Sequence, residues 1–451
     1  MKIPRVMIAG TSSGSGKTTA VCVLLSLFKR RGLDLGACKC GPDYIDPMFH
    51  RSVLNIPCSN LDPFFCGGNM LRYLLSENGS AELTVIEGVM GYYDGVGENG
   101  TDNSSYTVAE KTETPVILTV DAKGASASLL AVIEGFAGFA ENSRIKGVLF
   151  NRTSAAQYSR LAGLMNKRFG DRIIPVGHIP ELPEECRLPS RHLGLVTAGE
   201  IDDLADRLNK TADICKAAID TKAILKIANA AGELSFTPPE IPAFDKITLA
   251  VALDDAFCFY YHDTLRLFEM MGADIEYFSP LADEAIPENA DGLLLGGGYP
   301  ELHARELEAN INAKNSVAKA LRNGMPAIAE CGGFQYLGAE LDGRKMCGLL
   351  PHTSRDTGRL NRFGYITLRA KKDGVFGAAG TALKAHEFHY WDSSDNGGGF
   401  RAVKPDGRAW DCGVLTDTLY AGYPHICLCS NLSAAEAFYK KCLRYKENNQ
   451  C

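Results

Sequence analysis

The sequence predicts an α/β protein built from two doubly wound domains. Three observations carry that expectation. The 451 residues are too many for one hydrophobic core. Short β-rich apolar runs alternate with helical patterns, as in parallel strands joined by helices. The alternation breaks at Phe236-Thr237-Pro238-Pro239-Glu240-Ile241-Pro242, which cannot hold a helix, and then resumes.

In the first half, strands are expected at 6–9, 35–39, 83–86, 116–120, 147–150 and 174–176. Residues 201–235 read as helical and polar, and the second series has strands at 247–253, 275–278, 292–295 and 327–329. The expected division is a domain at 1–195, a helical and proline-rich linker at 196–245 and a second domain at 246–451. Ligands of such sheets bind at the carboxyl ends of the strands, so the residues just after each strand are where chemistry is sought.

Composition narrows the class. Hydrophobic residues make up 45% and charged residues 22%, ordinary for a soluble globular protein. A formal charge of −7 gives no electrostatic reason to expect nucleic acid or an anionic membrane as partner. The apolar run at 6–9 is too short for a secretory signal or a membrane span, so a cytoplasmic chain is expected. The 15 cysteines are an odd number without a signal peptide, which reads as reduced thiols. The closest pairs, Cys38/Cys40 and Cys427/Cys429, are spaced C-x-C and complete no four-ligand metal set.

Gly10-Thr11-Ser12-Ser13-Gly14-Ser15-Gly16-Lys17-Thr18 follows the first strand and opens a helix. That context makes it a phosphate-binding loop: glycines let backbone N–H groups converge on phosphate oxygens, and the helix N-terminus adds partial positive charge. Gly14, Gly16, Lys17, Thr18 and Thr19 are the expected ATP-binding residues, with Lys17 on the β- and γ-phosphates and Thr18 on Mg²⁺. The spacing is one residue longer than G-x-x-x-x-G-K-T, because Thr11 stands where the first glycine belongs.

Carboxylates are expected on the same rim. Glu87 ends the strand at 83–86 and is a candidate Mg²⁺ ligand. In Gly41-Pro42-Asp43-Tyr44-Ile45-Asp46, Asp43 suits the metal or nucleotide side, and Tyr44, Ile45 and Asp46 suit acceptor contacts. Gly91-Tyr92-Tyr93-Asp94-Gly95 adds Asp94 to the acceptor side, and Asn151 at another strand end is placed for a nucleobase edge. Turn formation is the competing explanation for these Pro-, Asp- and Gly-rich loops.

The second strong signal is Ala327-Ile328-Ala329-Glu330-Cys331-Gly332-Gly333, a small-residue strand running into a cysteine and two glycines. This layout exposes a nucleophile on a sharp turn. The following helix N-terminus is expected to lower the thiol pKa, and the Gly332 N–H to face an oxyanion. Leu295-Gly296-Gly297-Gly298-Tyr299-Pro300 offers a second donor, the N–H of Gly298. The nucleophile needs a base, for which His425 is the candidate and His386 and His389 are rivals.

Taken together, these phrases, with Arg191-His192-Leu193-Gly194-Leu195, Asp255-Ala256-Phe257, Arg362-Phe363-Gly364-Tyr365 and His386-Glu387-Phe388-His389-Tyr390, resemble the cobyrinic acid a,c-diamide synthase family over nearly the whole chain. The resemblance implies a dethiobiotin-synthetase-like P-loop domain followed by a class I glutaminase domain. It implies amidation of two acetate side chains of a corrinoid with ATP, Mg²⁺ and glutamine, Cys331 as nucleophile and His425 as its base. The implied partners are small molecules, with a tetrapyrrole acceptor and a homodimer as the oligomer. Most class I glutaminases carry Glu two residues after the histidine, whereas this chain has Cys427, and Pro424 precedes the histidine. Hydrogenobyrinic acid and nickel sirohydrochlorin are alternative acceptors for the same chemistry. The alternative from another class is a P-loop switch ATPase carrying an inactive glutaminase-like binding module.

Overall fold

The computed structural model describes residues 1–97, 100–187, 190–191, 194–195 and 204–449. The chain divides into two compact units, Met1–Pro239 and Glu240–Cys451.

The first unit runs β1 (Arg5–Gly10), α1 (Lys17–Arg30), β2 (Leu35–Cys40), α2 (Ile45–Ser52), β3 (Cys58–Leu61), α3 (Gly68–Ser76), β4 (Leu83–Glu87), α4 (Ser105–Lys111), β5 (Val116–Asp121), α5 (Ser128–Gly138), β6 (Ile145–Asn151), α6 (Ala155–Phe169) and β7 (Ile174–Ile179). The seven strands form one parallel sheet in the order β3-β2-β4-β1-β5-β6-β7. Both faces of β1, β2 and β4 are buried. This is why these strands read as continuous apolar runs rather than alternating ones. β3 lies outside the strands expected from sequence. Cys58-Ser59-Asn60-Leu61 contains no β-branched residue, and pairing with β2 makes it a strand.

Beyond β7, the short strands β8 (Ser190–Arg191) and β9 (Gly194–Leu195) pair antiparallel. His192 and Leu193 of the motif noted above, and residues 196–203 of the expected linker, lie outside the described residues. The rest of that stretch carries α7 (Leu204–Cys215) and α8 (Thr221–Asn229), which belong to the first unit. Arg30 on α1 donates to Asp213 Oδ1 on α7 at 3.0 Å and to Asn209 Oδ1 at 2.8 Å. No described helix is long and apolar enough to cross a membrane.

The second unit runs β10 (Ile247–Ala252), α9 (His262–Met271), β11 (Ala273–Phe278), β12 (Gly292–Leu295), α10 (Ala304–Ala309), α11 (Ile311–Arg322), β13 (Ala327–Glu330) and α12 (Gly332–Leu337). It continues with β14 (Glu340–Leu341), β15 (Arg344–Lys345), β16 (Thr353–Ala370), β17 (Ala382–Ser393), β18 (Phe400–Val403), β19 (Ala409–Cys412), β20 (Val414–Leu415), β21 (Leu419–Gly422), β22 (His425–Ile426) and α13 (Leu432–Asn449). One sheet has the order β11-β10-β12-β13-β21-β20, parallel except for β20. Its core holds Phe257, Leu295, Phe334 and Tyr336, all fully buried. Each such side chain contributes roughly 1.5–3 kcal/mol relative to exposure.

A second sheet, β15-β14-β16-β17-β22 with β18 and β19 alongside, was not among the expected elements. Its long hairpin β16/β17 is polar and shifts register between Asp356 and Asn361 and again between Asn361 and Gly364, which breaks the two-residue alternation. Its functional consequence is local. β17 pairs with β22 so that His386 stands opposite His425.

Candidate functional site

The phosphate loop leaves β1 at Gly10. A Cβ there would lie 2.1 Å from Ser15 Oγ, so Gly10 supplies the close approach of the first loop glycine from one residue early. Gly16, with φ 98°, caps α1, and a Cβ there would lie 2.1 Å from Asn151 Nδ2. Lys17 is buried at the first position of α1 and donates to the carbonyls of Ser12, at 3.0 Å, and Met90. Its ammonium thus already lies across the mouth of the loop.

Below the loop lies a buried charged cluster. Thr18 Oγ1 donates to Glu87 Oε1 at 2.5 Å, and the same oxygen receives Lys39 Nζ at 2.9 Å. Lys39 also donates to Asp46 Oδ2 and lies 3.7 Å from Asp43 Oδ2, while His50 Nε2 is 3.4 Å from Glu87 Oε2. Burial alone would push the Glu87 carboxyl up. The Lys39 ammonium, the His50 ring and the Thr18 hydroxyl reverse this and hold it well below the usual carboxylate range. Asp46, buried beside the charged Glu87, is pushed up. Burial would lower Lys39, but Asp46, Glu87 and Asp43 more than offset it and keep Lys39 charged.

Lys39 and His50 were not among the sequence candidates. The available signals were a lysine inside an otherwise apolar strand, and a histidine four residues after Asp46 on the same helix. Among the described residues, no three His, Cys, Asp or Glu side chains form a ready metal cage. The hard oxygens of Thr18 and Glu87 beside a phosphate loop still fit Mg²⁺, which takes one or two protein oxygens and completes its shell with phosphate and water.

The remaining residues expected on this rim separate by burial. Asp43 is half-buried and accepts from the N–H groups of Ile45, at 2.9 Å, and Asp46, at 3.2 Å, which caps the start of α2. Tyr44 is half-buried, Ile45 is buried, and the Asp46 carboxylate turns inward to Lys39 rather than toward an open acceptor surface. Asp94 is exposed and accepts from Gly91 N–H at 2.8 Å. Asn151 donates to Ser15 O at 3.0 Å, so this amide braces the phosphate loop from beneath. Thr19 is half-buried in the first turn of α1.

Burial, followed by the charge of Lys39, brings Lys17 from the ordinary lysine range down to about 8. Phosphate binds the charged form, so nucleotide binding above that pH takes up a proton. The expected outcome is an ATP dissociation constant that is flat below pH 8. It then rises, by up to about tenfold per pH unit, above it. Calorimetry in buffers of different ionisation enthalpy checks this. A dissociation constant independent of pH through 8 to 9.5, on the order of the range that titrates such a lysine, removes Lys17 from the phosphate contact.

In the second unit, β13 delivers Glu330 and then turns sharply at Cys331, with φ 47° and ψ −98°. Positive φ on a non-glycine residue is strained, and Cys331 N–H donating to Gly422 O at 2.8 Å helps hold the turn. Gly333 N–H donates to Gly296 O at 2.9 Å, locking the start of α12 to the loop after β12. Gly298 N lies 3.3 Å from the position a Cβ on Gly332 would occupy, so the two expected oxyanion donors come from adjoining backbone.

The expectation of a lowered Cys331 thiol is corrected. Burial pushes it well above the ordinary range, with Glu301, Glu387 and Glu330 adding to the effect. The Gly332 N–H at the start of the six-residue α12 pulls it back only in part. The resting thiol is therefore neutral and needs a base.

His425 is buried on β22. Its Nδ1 lies 3.5 Å from Glu330 Oε2, and a Cβ on Gly297 would lie 2.4 Å from its Cε1. The ring therefore sits between the residue preceding Cys331 and the glycine loop. The rivals are placed differently. His389 uses both ring nitrogens, on Glu387 Oε1 at 2.7 Å and on the carbonyl of Trp391, and stacks on Tyr423. Burial brings His386 down to about 3, so it stays neutral between the edges of Phe363 and Tyr365.

Two domain families match these two units. Residues 6–196 match the CobQ/CobB/MinD/ParA nucleotide binding domain, and residues 248–432 match the CobB/CobQ-like glutamine amidotransferase domain. Along the whole chain, a protein of Listeria monocytogenes named cobyrinate a,c-diamide synthase is 36% identical, over 95% of this chain and 97% of its own. The chain belongs to the cobyrinate a,c-diamide synthase family. Members from Thermoplasma volcanium, 34% identical over 100% of both chains, and Fusobacterium nucleatum, 38% identical over 93% of this chain and 96% of its own, carry the same name. Membership in this family accounts for a nucleotide-binding unit and a glutamine amidotransferase unit in one chain.

Proposed function

We propose that this chain amidates the a and c acetate carboxylates of cobyrinic acid in cobalamin biosynthesis, using glutamine as nitrogen donor and ATP as activating reagent. Its working setting is a cytoplasmic homodimer with small-molecule partners only. The likeness over the whole chain to proteins of that name carries the choice of acceptor. The two sites carry the chemistry.

In the glutaminase, His425 accepts the proton of Cys331 Sγ as the sulfur attacks the side-chain amide carbon of glutamine. The N–H groups of Gly298 and Gly332 hold the oxyanion. His425 then gives that proton to the departing ammonia, and water cleaves the thioester to release glutamate. In the synthetase, an acetate oxygen attacks the γ-phosphorus of ATP, leaving ADP and an acyl phosphate. Lys17 and the α1 N-terminus face the developing phosphoryl charge, with Gly14, Gly16 and Thr19 lining the loop. Ammonia attacks the acyl carbon, phosphate leaves and the amide forms.

Thr18 and Glu87 would hold Mg²⁺, with Asp43 reaching it through water, and the ion when bound would neutralise phosphate charge. Tyr44 and the exposed Asp94 are assigned to the acceptor, with Ile45 and Asp46 shaping the loop that presents Tyr44. The test is parallel incubation of cobyrinic acid, hydrogenobyrinic acid and nickel sirohydrochlorin with ATP, Mg²⁺ and amide-labelled glutamine, read by mass. Cobyrinic acid is expected to gain two labelled amides. Amidation of another ring in its place overturns the acceptor, and labelling of none overturns the reaction.

A further inference from the structure

The glutaminase histidine lacks the carboxylate two residues downstream, where this chain has Cys427. The fold supplies one from elsewhere. Glu330 ends β13, and the strained turn at Cys331 separates its side chain from the thiol. Its Oε1 accepts from Ile426 N–H at 2.8 Å, and its Oε2 lies 3.5 Å from His425 Nδ1. One carboxylate thus spans both residues of β22.

The surroundings make that charge count. Glu330 is 13% exposed at its side chain and borders a small cavity that Leu294, Leu295, Ile328 and Ile426 share with Tyr260, Tyr261 and Thr264. Where water is largely excluded, a charge at this distance acts more strongly than in bulk solvent. The ring edge between the two nitrogens is crowded by Gly297, where a Cβ would lie 2.4 Å from Cε1 and 3.2 Å from Nε2. Glu387, another carboxylate acting on the thiol, is committed to His389 at 2.7 Å and Arg362 at 3.2 Å.

We propose that Glu330 is the positioning residue of the glutaminase, holding His425 by Nδ1–H so that Nε2 is the nitrogen that takes the Cys331 proton. The inference rests on the glutaminase reading above. The carboxylate is not itself a proton carrier in the step. It fixes the tautomer and stabilises the imidazolium formed when the proton moves. The charge that orders the base thus comes from the residue adjoining the nucleophile, so a single strand end sets both groups.

The test is glutamine hydrolysis by full-length Glu330→Gln and Glu330→Asp, measured across the pH range in which imidazole titrates. The titratable groups around this pair are His386 from β17 beside His425, Tyr260 and Tyr420 beside Glu330, and Cys331 with Glu301 and Glu387 on the thiol side. Glutamine at 330 keeps an acceptor for Ile426 N–H and loses only the charge. The expected result is kcat lowered roughly 10²-fold with KM changed less than about threefold. The acid limb of kcat/KM moves down by about one pH unit, because an imidazole without its anion is a weaker base. Aspartate restores kcat to within about tenfold of wild type, and ammonium-driven amidation stays within about twofold in both variants.

Wild-type kcat and an unmoved acid limb in Glu330→Gln overturn the proposal. Equal loss of glutamine- and ammonium-driven amidation, with a lowered melting temperature in both variants, also overturns it by making the residue structural. A wild-type protein that amidates with ammonium but hydrolyses no glutamine overturns the underlying reading and this one with it.

Discussion

Cys331→Ser removes glutamine-driven amidation, by on the order of 10⁴-fold, and leaves amidation from ammonium salts in place. The substitution is nearly isosteric, and the turn at Cys331 is held by its backbone N–H to Gly422 O, which serine keeps. What changes is the nucleophile. A hydroxyl is far harder to deprotonate than a thiol, and this position already resists ionisation because of burial and the nearby Glu301, Glu387 and Glu330. On the proposed mechanism His425 takes the thiol proton during attack, and an alcohol, a far weaker acid, gives up its proton much less readily in that field. Initial rates with glutamine and with ammonium chloride, on one preparation, check the outcome. A variant dead with both nitrogen donors shows that Cys331 serves the fold or the synthetase rather than glutamine alone.

Lys17→Met gives the mirror image. Amidation falls roughly 10²–10³-fold with glutamine and ammonium alike, while glutamine hydrolysis persists. Methionine approximates the length and stem packing of lysine and removes only the ammonium. The fold should tolerate it, because Lys17 donates to the carbonyls of Ser12 and Met90 and carries no ion pair in the buried cluster. The loss arises in the transition state, where charge spreads over phosphoryl oxygens that no other loop cation faces. Kinetics with saturating ammonium separate this from any change in ammonia supply. A variant that loses glutamine-driven amidation while keeping the ammonium rate places Lys17 outside phosphoryl transfer.

Much of this arrangement was legible in the residue string where the signal is local. A phosphate loop is one strand end, one turn and one helix start, so Lys17 and Thr18 announce themselves by spacing. Cys331 does the same through the small strand before it and the glycines after it. The cluster beneath the loop was less visible. Glu87 and Asp46 were marked as separate candidates, but the lysine joining them, Lys39, sits on a strand that is 48 residues from Glu87 in sequence and pairs directly with β4. Asp46 reads as a loop carboxylate free to touch an acceptor, and burial turns it inward instead.

The second sheet was illegible for a different reason. β16 carries charges and two register shifts, so its strand character comes from pairing along its whole length rather than from any window of its own; Asp356 still meets Trp391 and Arg369 meets Ala382 across that hairpin. That sheet brings β22, and so His425, beside β17.

By itself the sequence marked the phosphate loop and the cysteine turn, because each is a run of residues adjacent in the chain and held by one turn of backbone. Only the tertiary structure decided how those groups are charged and oriented. It made Cys331 a neutral thiol, kept Glu87 anionic against Lys39, and set Glu330 beside a histidine 95 residues further on. Proton affinity and side-chain orientation depend on distance through space and on exclusion of water, and neither quantity is written in the order of the residues.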